Sequence, residues 1–128
     1  MTAPMQGYST IGTNNKESAE IFYDGVLSQL NPIKLLANDR ITMWLSKEDK
    51  SVILAISIPY DGEVATTGNG AMKAIALGSH EEVDQMYAKA IESGAKDDGE
   101  PGLRTETFYG AYVYDLDGNK LCFFNFGT

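Results

Sequence analysis

Two amphipathic stripes separated by 64 residues constrain this chain more than any other feature of its sequence. Ala19, Phe22, Tyr23, Val26, Leu27 and Leu30 follow the i, i+3, i+4, i+7, i+8 spacing of one buried helical face. Adding 64 to the first five positions gives Val83, Met86, Tyr87, Ala90 and Ile91, the whole apolar stripe of a second helix. The same shift carries Ile11 to Ile75, Glu17 to Glu81 and Tyr8 to Met72, and 64 is half of the 128 residues. The chain therefore reads as two copies of one supersecondary unit.

Each copy has the order strand, helix, several strands. In the first, Tyr8 to Thr13 is β-leaning, and Asn14 or Asn15 can cap the helix, which Asn31-Pro32 ends. Three strand-like runs follow, Ile33 to Ala37, Ile41 to Ser46 and Val52 to Ile58, with turn residues between them. An all-α fold or a doubly wound parallel sheet would not explain three successive strands after one helix. Module one spans about 7–62, a polar connector 63–70, and module two about 71–126, all within one domain.

The second copy opens with a strand, Ala71 to Leu77, and Ser79-His80-Glu81-Glu82 then fits the capping box that starts a helix. Gly94 is placed to end that helix, and Lys96 to Glu106 reads as a glycine- and acid-rich loop with room for one short edge strand. The closing stretch, Tyr109 to Phe126, places two aromatic and β-branched runs around Asp115-Leu116-Asp117-Gly118-Asn119, a hairpin turn signal. Strand parity puts Lys120, Cys122 and Phe124 on one face, Leu121, Phe123 and Asn125 on the other, and separates Tyr112 and Tyr114 from Val113.

Composition narrows the function classes. A formal net charge of −8 argues against electrostatic affinity for nucleic acid or an anionic membrane. A single cysteine fits a reducing compartment, Met1 to Gln6 is too short and polar for a signal peptide, and no apolar run is long enough to span a bilayer. A cytoplasmic protein is expected. The Asp-Leu-Asp-Gly-Asn turn lacks the later bidentate acid of a calcium loop, and Gly68-Asn69-Gly70 precedes a strand rather than the helix of a phosphate loop. His80, the one histidine, sits on a helix start, so no Ser–His–Asp set can form around it.

The twofold βαβββ pattern resembles the vicinal oxygen chelate superfamily, which includes glyoxalase I, the bleomycin and fosfomycin resistance proteins and the extradiol dioxygenases. The residues that carry the resemblance are Ser18 to Tyr23, Gly68 to Gly70, Pro101 to Arg104, Tyr109 to Tyr112 and Asp115 to Leu121, and it covers nearly the whole chain. It implies an α+β fold in which two modules curl a mixed sheet into a cup that commonly holds a divalent metal. It also implies a homodimer.

In that family the metal donors come from the first and last strands of each module. Carried over to this chain, those places fall on Tyr8, near Ala55, on Met72 and on Cys122. Methionine and neutral tyrosine are poor ligands for zinc, nickel or magnesium, so neither a metal nor another cofactor is expected. The family's Lewis-acid chemistry, glyoxalase I activity included, loses its ion.

What remains for binding is a set of cup-lining candidates. Cys122 reads as a nucleophile that lacks a basic neighbour, or as a small apolar lining residue. Arg104 reads as an anchor for an anionic ligand, or as the ion-pair partner of Glu100, Glu106 or Asp115. Trp44, Tyr109, Tyr112 and Tyr114 are core residues or a surface that stacks a planar ligand, and Phe124 shares the face of Cys122. The leading expectation is a metal-free domain that binds a small aromatic or amphipathic molecule, with the net charge favouring a cation at long range. The alternative is a lyase or isomerase of the lactoylglutathione lyase-like kind, using a divalent metal or a tyrosine such as Tyr8 as acid–base. A third reading is a structural or regulatory dimer whose cup is filled by its own side chains.

Overall fold

The computed structural model describes residue 4 and residues 7–127. The signal-peptide reading of Met1 to Gln6 therefore falls, apart from Pro4, outside the described residues. The elements run β1 (Ile11–Gly12), α1 (Lys16–Val26), a 3-10 turn (Ser28–Leu30), β2 (Ile33–Leu36), β3 (Ile41–Leu45), β4 (Val52–Ser57), β5 (Lys73–Ala76), α2 (His80–Glu92), β6 (Lys96–Leu103), β7 (Phe108–Tyr114) and β8 (Lys120–Phe126). They make two four-stranded mixed sheets, ordered β1-β4-β3-β2 and β5-β8-β7-β6. In each sheet the strand before the helix lies parallel to the last strand of its own module, and the remaining pairs are antiparallel. This is a βαβββ unit used twice.

Both helices start where local chemistry asks them to. Asn15 accepts the Ser18 N–H through Oδ1 at 3.1 Å, and Ser79 accepts the Glu82 N–H through Oγ at 3.2 Å. Each bond satisfies a donor that the first helical turn leaves open. The helix expected to run to Asn31 ends earlier: α1 stops at Val26, and Leu27 begins a 3-10 turn that Asn31 closes in the left-handed conformation, φ 48°. Gly94, at φ 107°, takes the conformation that terminates α2.

The helices cover one face of each sheet, and a single core joins the modules. Phe22, Tyr23 and Val26 of α1 meet Trp44, Leu54 and Ile56, while Val83, Met86 and Ala90 of α2 meet Ala111, Val113, Leu121 and Phe123. Ile91, expected in the second stripe, is 37% exposed, because it falls at the margin of a contact arc that α2 makes with its own sheet and with α1. The expected strand Tyr8 to Thr13 pairs only at Ile11 and Gly12, with Ile56 and Ser57.

The largest departure is β6. Where a loop with one short edge strand was expected, an eight-residue strand lies against β7 and pairs with it at Lys96, Asp97, Gly99, Gly102 and Leu103. The sequence Lys96 to Leu103 conceals this because its pairing is irregular, with register shifts on both sides of Gly99. Such bulges remove the two-residue alternation by which strands are recognised.

Candidate functional site

The helices occupy one side of each sheet, so any site on the sheets lies on the opposite, open faces. Register identifies them. Tyr112 lies opposite Cys122, Tyr114 opposite Lys120, and Gly110 opposite Phe124, while Ala74 of β5 is the parallel partner of Cys122. These residues alternate with the core positions Ala111, Val113, Leu121 and Phe123, so they belong to the open face of module two. In module one, Ala55 pairs with Met43 and alternates with buried Leu54 and Ile56.

Two clefts open on module two. The larger, about 910 Å³, is lined by Ser9, Thr10 and Ile11, by Thr67 to Ala74, and by Tyr114 and Gly118 to Lys120. It lies where the first strands of the two modules approach the closing hairpin. The smaller, about 620 Å³, is lined by Asp98 to Pro101, Arg104, Tyr112 and Lys120. Lys120 belongs to both.

The groups between the clefts are held in place. The Lys120 ammonium pairs with Asp98 at 3.1 Å and lies 5.2 Å from the Tyr112 ring centroid. Arg104 approaches the same ring at 5.4 Å, so Tyr112 is the shared π partner of two cations. The Arg104 guanidinium donates to the backbone carbonyl of Glu100, and no carboxylate pairs with it among the described residues. The ion-pair reading of Arg104 with Glu100, Glu106 or Asp115 is thus corrected: Glu100 is the partner through its main chain. Hydrogen bonding to Asp98 holds the Lys120 ammonium above its ordinary pKa. Farther along the face, Phe108 stacks on Phe124 with centroids 5.1 Å apart, and its ring occupies the space above Gly110 where a Cβ would come within 2.8 Å.

The ten residues singled out from the sequence separate into three groups. Met72 and Tyr114 line the larger cleft, and Arg104 and Tyr112 the smaller. Cys122, Ala55 and Phe124 lie on open faces but line neither cleft, and Tyr8 stands 54% exposed outside both. Trp44 and Tyr109 lie on the helix-covered faces instead. Trp44 is 1% exposed and donates through Nε1 to Asp24 of α1 at 3.0 Å. Tyr109 donates to Asp84 of α2 at 2.6 Å and stacks on His80, 3.9 Å between centroids. Strand parity would have located Tyr109, since 109 shares its side with 111 and 113.

The residues to which the resemblance carries the metal-donor places, Tyr8, Ala55, Met72 and Cys122, differ in their settings. Ala55 and Cys122 are completely buried, and Met72 is 47% exposed. Cys122 sits directly beside Ala74, and Met72 lies two residues before Ala74, just ahead of β5. Burial pushes the Cys122 thiol above its ordinary pKa, and a hydrogen bond with Tyr112 and the charges of Lys120 and Arg104 oppose that rise only in part. A neutral, sealed thiol is neither a ready nucleophile nor a ready ligand. Among the described residues no three His, Cys, Asp or Glu side chains converge on one point.

Residues that the sequence reading passed over are prominent here. Ser9, Thr10, Asn69, Lys73 and Asn119 line the larger cleft because the connector and the hairpin turn come together beside β1 and β5. No local pattern marks such a convergence. Lys120 could have been found, since parity already placed it on the face of Cys122.

No protein-family model and no curated protein matches this chain. Solved structures do. The chain is similar to a glyoxalase/bleomycin resistance protein from Albidiferax ferrireducens T118, at 32% identity and TM-score 0.84, covering 95% of this chain and 98% of that one. A glyoxalase-related enzyme from Fulvimarina pelagi matches at 18% identity and TM-score 0.74, over 96% of this chain and 88% of that one. The fosfomycin resistance protein FosX of Listeria monocytogenes, in a complex with Mn(II) and a dihydroxypropylphosphonic acid, matches at 13% identity and TM-score 0.70, over 95% and 90% of the two chains. The last two likenesses concern the fold.

Proposed function

The chain belongs to the glyoxalase/bleomycin resistance protein family, and from that premise we propose that it is a metal-free member that binds a small aromatic or amphipathic molecule. The observation that carries the reading is the junction of the two clefts at Lys120, walled by Tyr112 and Tyr114. Concave volume, aromatic walls and a few placed polar groups are the ingredients of a small-molecule site. The donor set supports the metal-free part, because a Lewis-acid mechanism needs several converging ligands and an open position. An isomerase or lyase that uses Tyr8 as acid–base is the weaker reading, since that side chain is largely exposed and lies outside both clefts.

A homodimer belongs to the same proposal. The outer strand β2 has an unpaired edge and leaves Ile33, Leu35 and Leu36 exposed, a combination that favours pairing with another chain. Among the described residues no helix is long and apolar enough to cross a membrane.

The test is metal analysis of protein purified without chelator, run beside a thermal-shift screen of small aromatic and amphipathic compounds. We expect substoichiometric zinc, nickel and manganese, together with stabilisation that grows with ligand concentration. Stoichiometric metal, or turnover of a glutathione hemithioacetal, would restore the enzymatic reading.

A further inference from the structure

The larger cleft differs from the chain around it in charge. The protein carries 18 Asp and Glu against 10 Lys and Arg, yet no acidic residue lines this cleft, and Lys73 and Lys120 do. Lys120 is already neutralised by Asp98 at 3.1 Å. Lys73 is not. The ion pairs among the described residues take their cations from Lys16, Lys34, Lys89 and Lys120, and Lys73 enters none of them.

Lys73 is also partly buried, at the start of β5 where the connector meets the sheet. An ammonium removed from water without an opposite charge loses hydration and gains nothing in return. Burial accordingly pushes its pKa below the ordinary lysine value. A charge kept in that condition, in a cleft of about 910 Å³ that also offers Ser9, Asn69 and Tyr114 as hydrogen-bonding groups, is one that an incoming anion would complete. The overall charge of −8 does not oppose this at contact distance. Exposed charges farther than about 8 Å are largely screened at physiological salt, so the lining decides.

We infer that the larger cleft is an anion site: it takes a small organic carboxylate or phosphonate, with Lys73 as counter-ion and Ser9 and Asn69 as hydrogen-bonding groups. The inference rests on the small-molecule reading above and specifies the charge of the ligand. It replaces the preference for cations that net charge alone suggests.

Isothermal titration of the intact protein with benzoate, phenylphosphonate, benzamide and benzylamine tests it, the first two separating carboxylate from phosphonate recognition. We expect one of the anions to bind more tightly than both uncharged benzamide and cationic benzylamine. Lys73→Met should weaken that anion by about tenfold or more, Lys73→Arg should largely restore it, and Lys34→Met should leave it unchanged. Lys73→Met should also raise the melting temperature of the ligand-free protein, because it removes an unpaired, partly buried charge. That second measurement reports on Lys73 even when binding is weak. Benzamide or benzylamine binding as tightly as the anions, unaffected by Lys73→Met, would overturn the anion site and leave the small-molecule reading standing. Anion binding that Lys73→Met does not alter would overturn the role of Lys73. No binding by any of the four, with an unchanged melting temperature in Lys73→Met, would overturn the anion site and count against the reading beneath it.

Discussion

The phenol of Tyr23 donates to Oδ2 of Asp115 at 2.5 Å, across 92 residues of sequence, and ties the first helix to the last hairpin turn. Both groups are buried. The Asp115 carboxylate is the hub of that turn: Oδ1 accepts the N–H groups of Asp117 and Asn119, and Oδ2 also accepts from the Asn119 side chain. Asn119 in turn donates to the carbonyl of Gly12 on β1 at 2.9 Å. One acidic residue in the turn therefore fixes the hairpin to the first strand and the first helix of the other module. Burial, reinforced by the Asp115 charge, pushes the Tyr23 phenol well above its ordinary pKa, so it remains a donor throughout the working pH range.

Replacing Tyr23 by Phe should destabilise the protein by about 1–3 kcal/mol, the cost of leaving a buried acceptor without one of its donors. Equilibrium urea denaturation measures this directly, and the slope of the transition should stay the same. An unchanged midpoint would mean that the bond between the modules contributes nothing to stability.

Acid should weaken the fold in a window set by Glu20. Partial burial tends to raise its carboxyl pKa, but hydrogen bonds from Lys16, Thr42 and Lys34 outweigh that effect and hold it at about 2, against an ordinary 4.5. A carboxyl whose folded pKa is depressed contributes stability that is fully present above the unfolded value. That contribution is lost as pH falls from about 4.5 towards 2. Glu20→Gln should remove no more than about 2 kcal/mol at neutral pH, given the partial exposure of the network. It should also flatten the decline in melting temperature across that window. If the variant and the parent protein lose stability in parallel down to pH 2, the network is not the cause.

Cys122 should be silent towards thiol reagents in the native state. It is fully buried, and burial raises its pKa. Labelling with iodoacetamide at neutral pH should become rapid only when urea unfolds the chain. Cys122→Ser should cost about 1–3 kcal/mol by burying a more polar hydroxyl at a position sealed from water. Native labelling at the rate of free cysteine would return Cys122 to the list of reactive groups.

Much of this architecture is legible in the chain because it is local and periodic. The stripes of α1 and α2, the caps at Asn15 and Ser79 and the parity of β8 are each set by neighbours within a few residues, where 3.6- and 2-residue periods hold. Trp44 shows the limit. Its aromatic character does not say on which face of β3 it lies; Asp24 on α1, 20 positions away, supplies the hydrogen-bond partner that draws its indole inward. The strand β6 shows another limit, since its bulges erase alternation while its hydrogen bonds to β7 persist.

The sequence by itself determined that the chain folds as a doubled βαβββ unit, because amphipathic periodicity is written residue by residue along each helix and strand. It also determined which side chains stand at the four places to which the family resemblance carries the metal donors, a tyrosine, an alanine, a methionine and a cysteine, because side-chain chemistry at a position needs no coordinates. Tertiary structure decided which aromatic residues reach an open face, that Asp115 holds the two modules together, and that Lys73 stands beside a cleft lined by no acid. These are relations among segments far apart in the chain. They come from how two sheets, a connector and a turn pack around one core, and no spacing within a single segment encodes them.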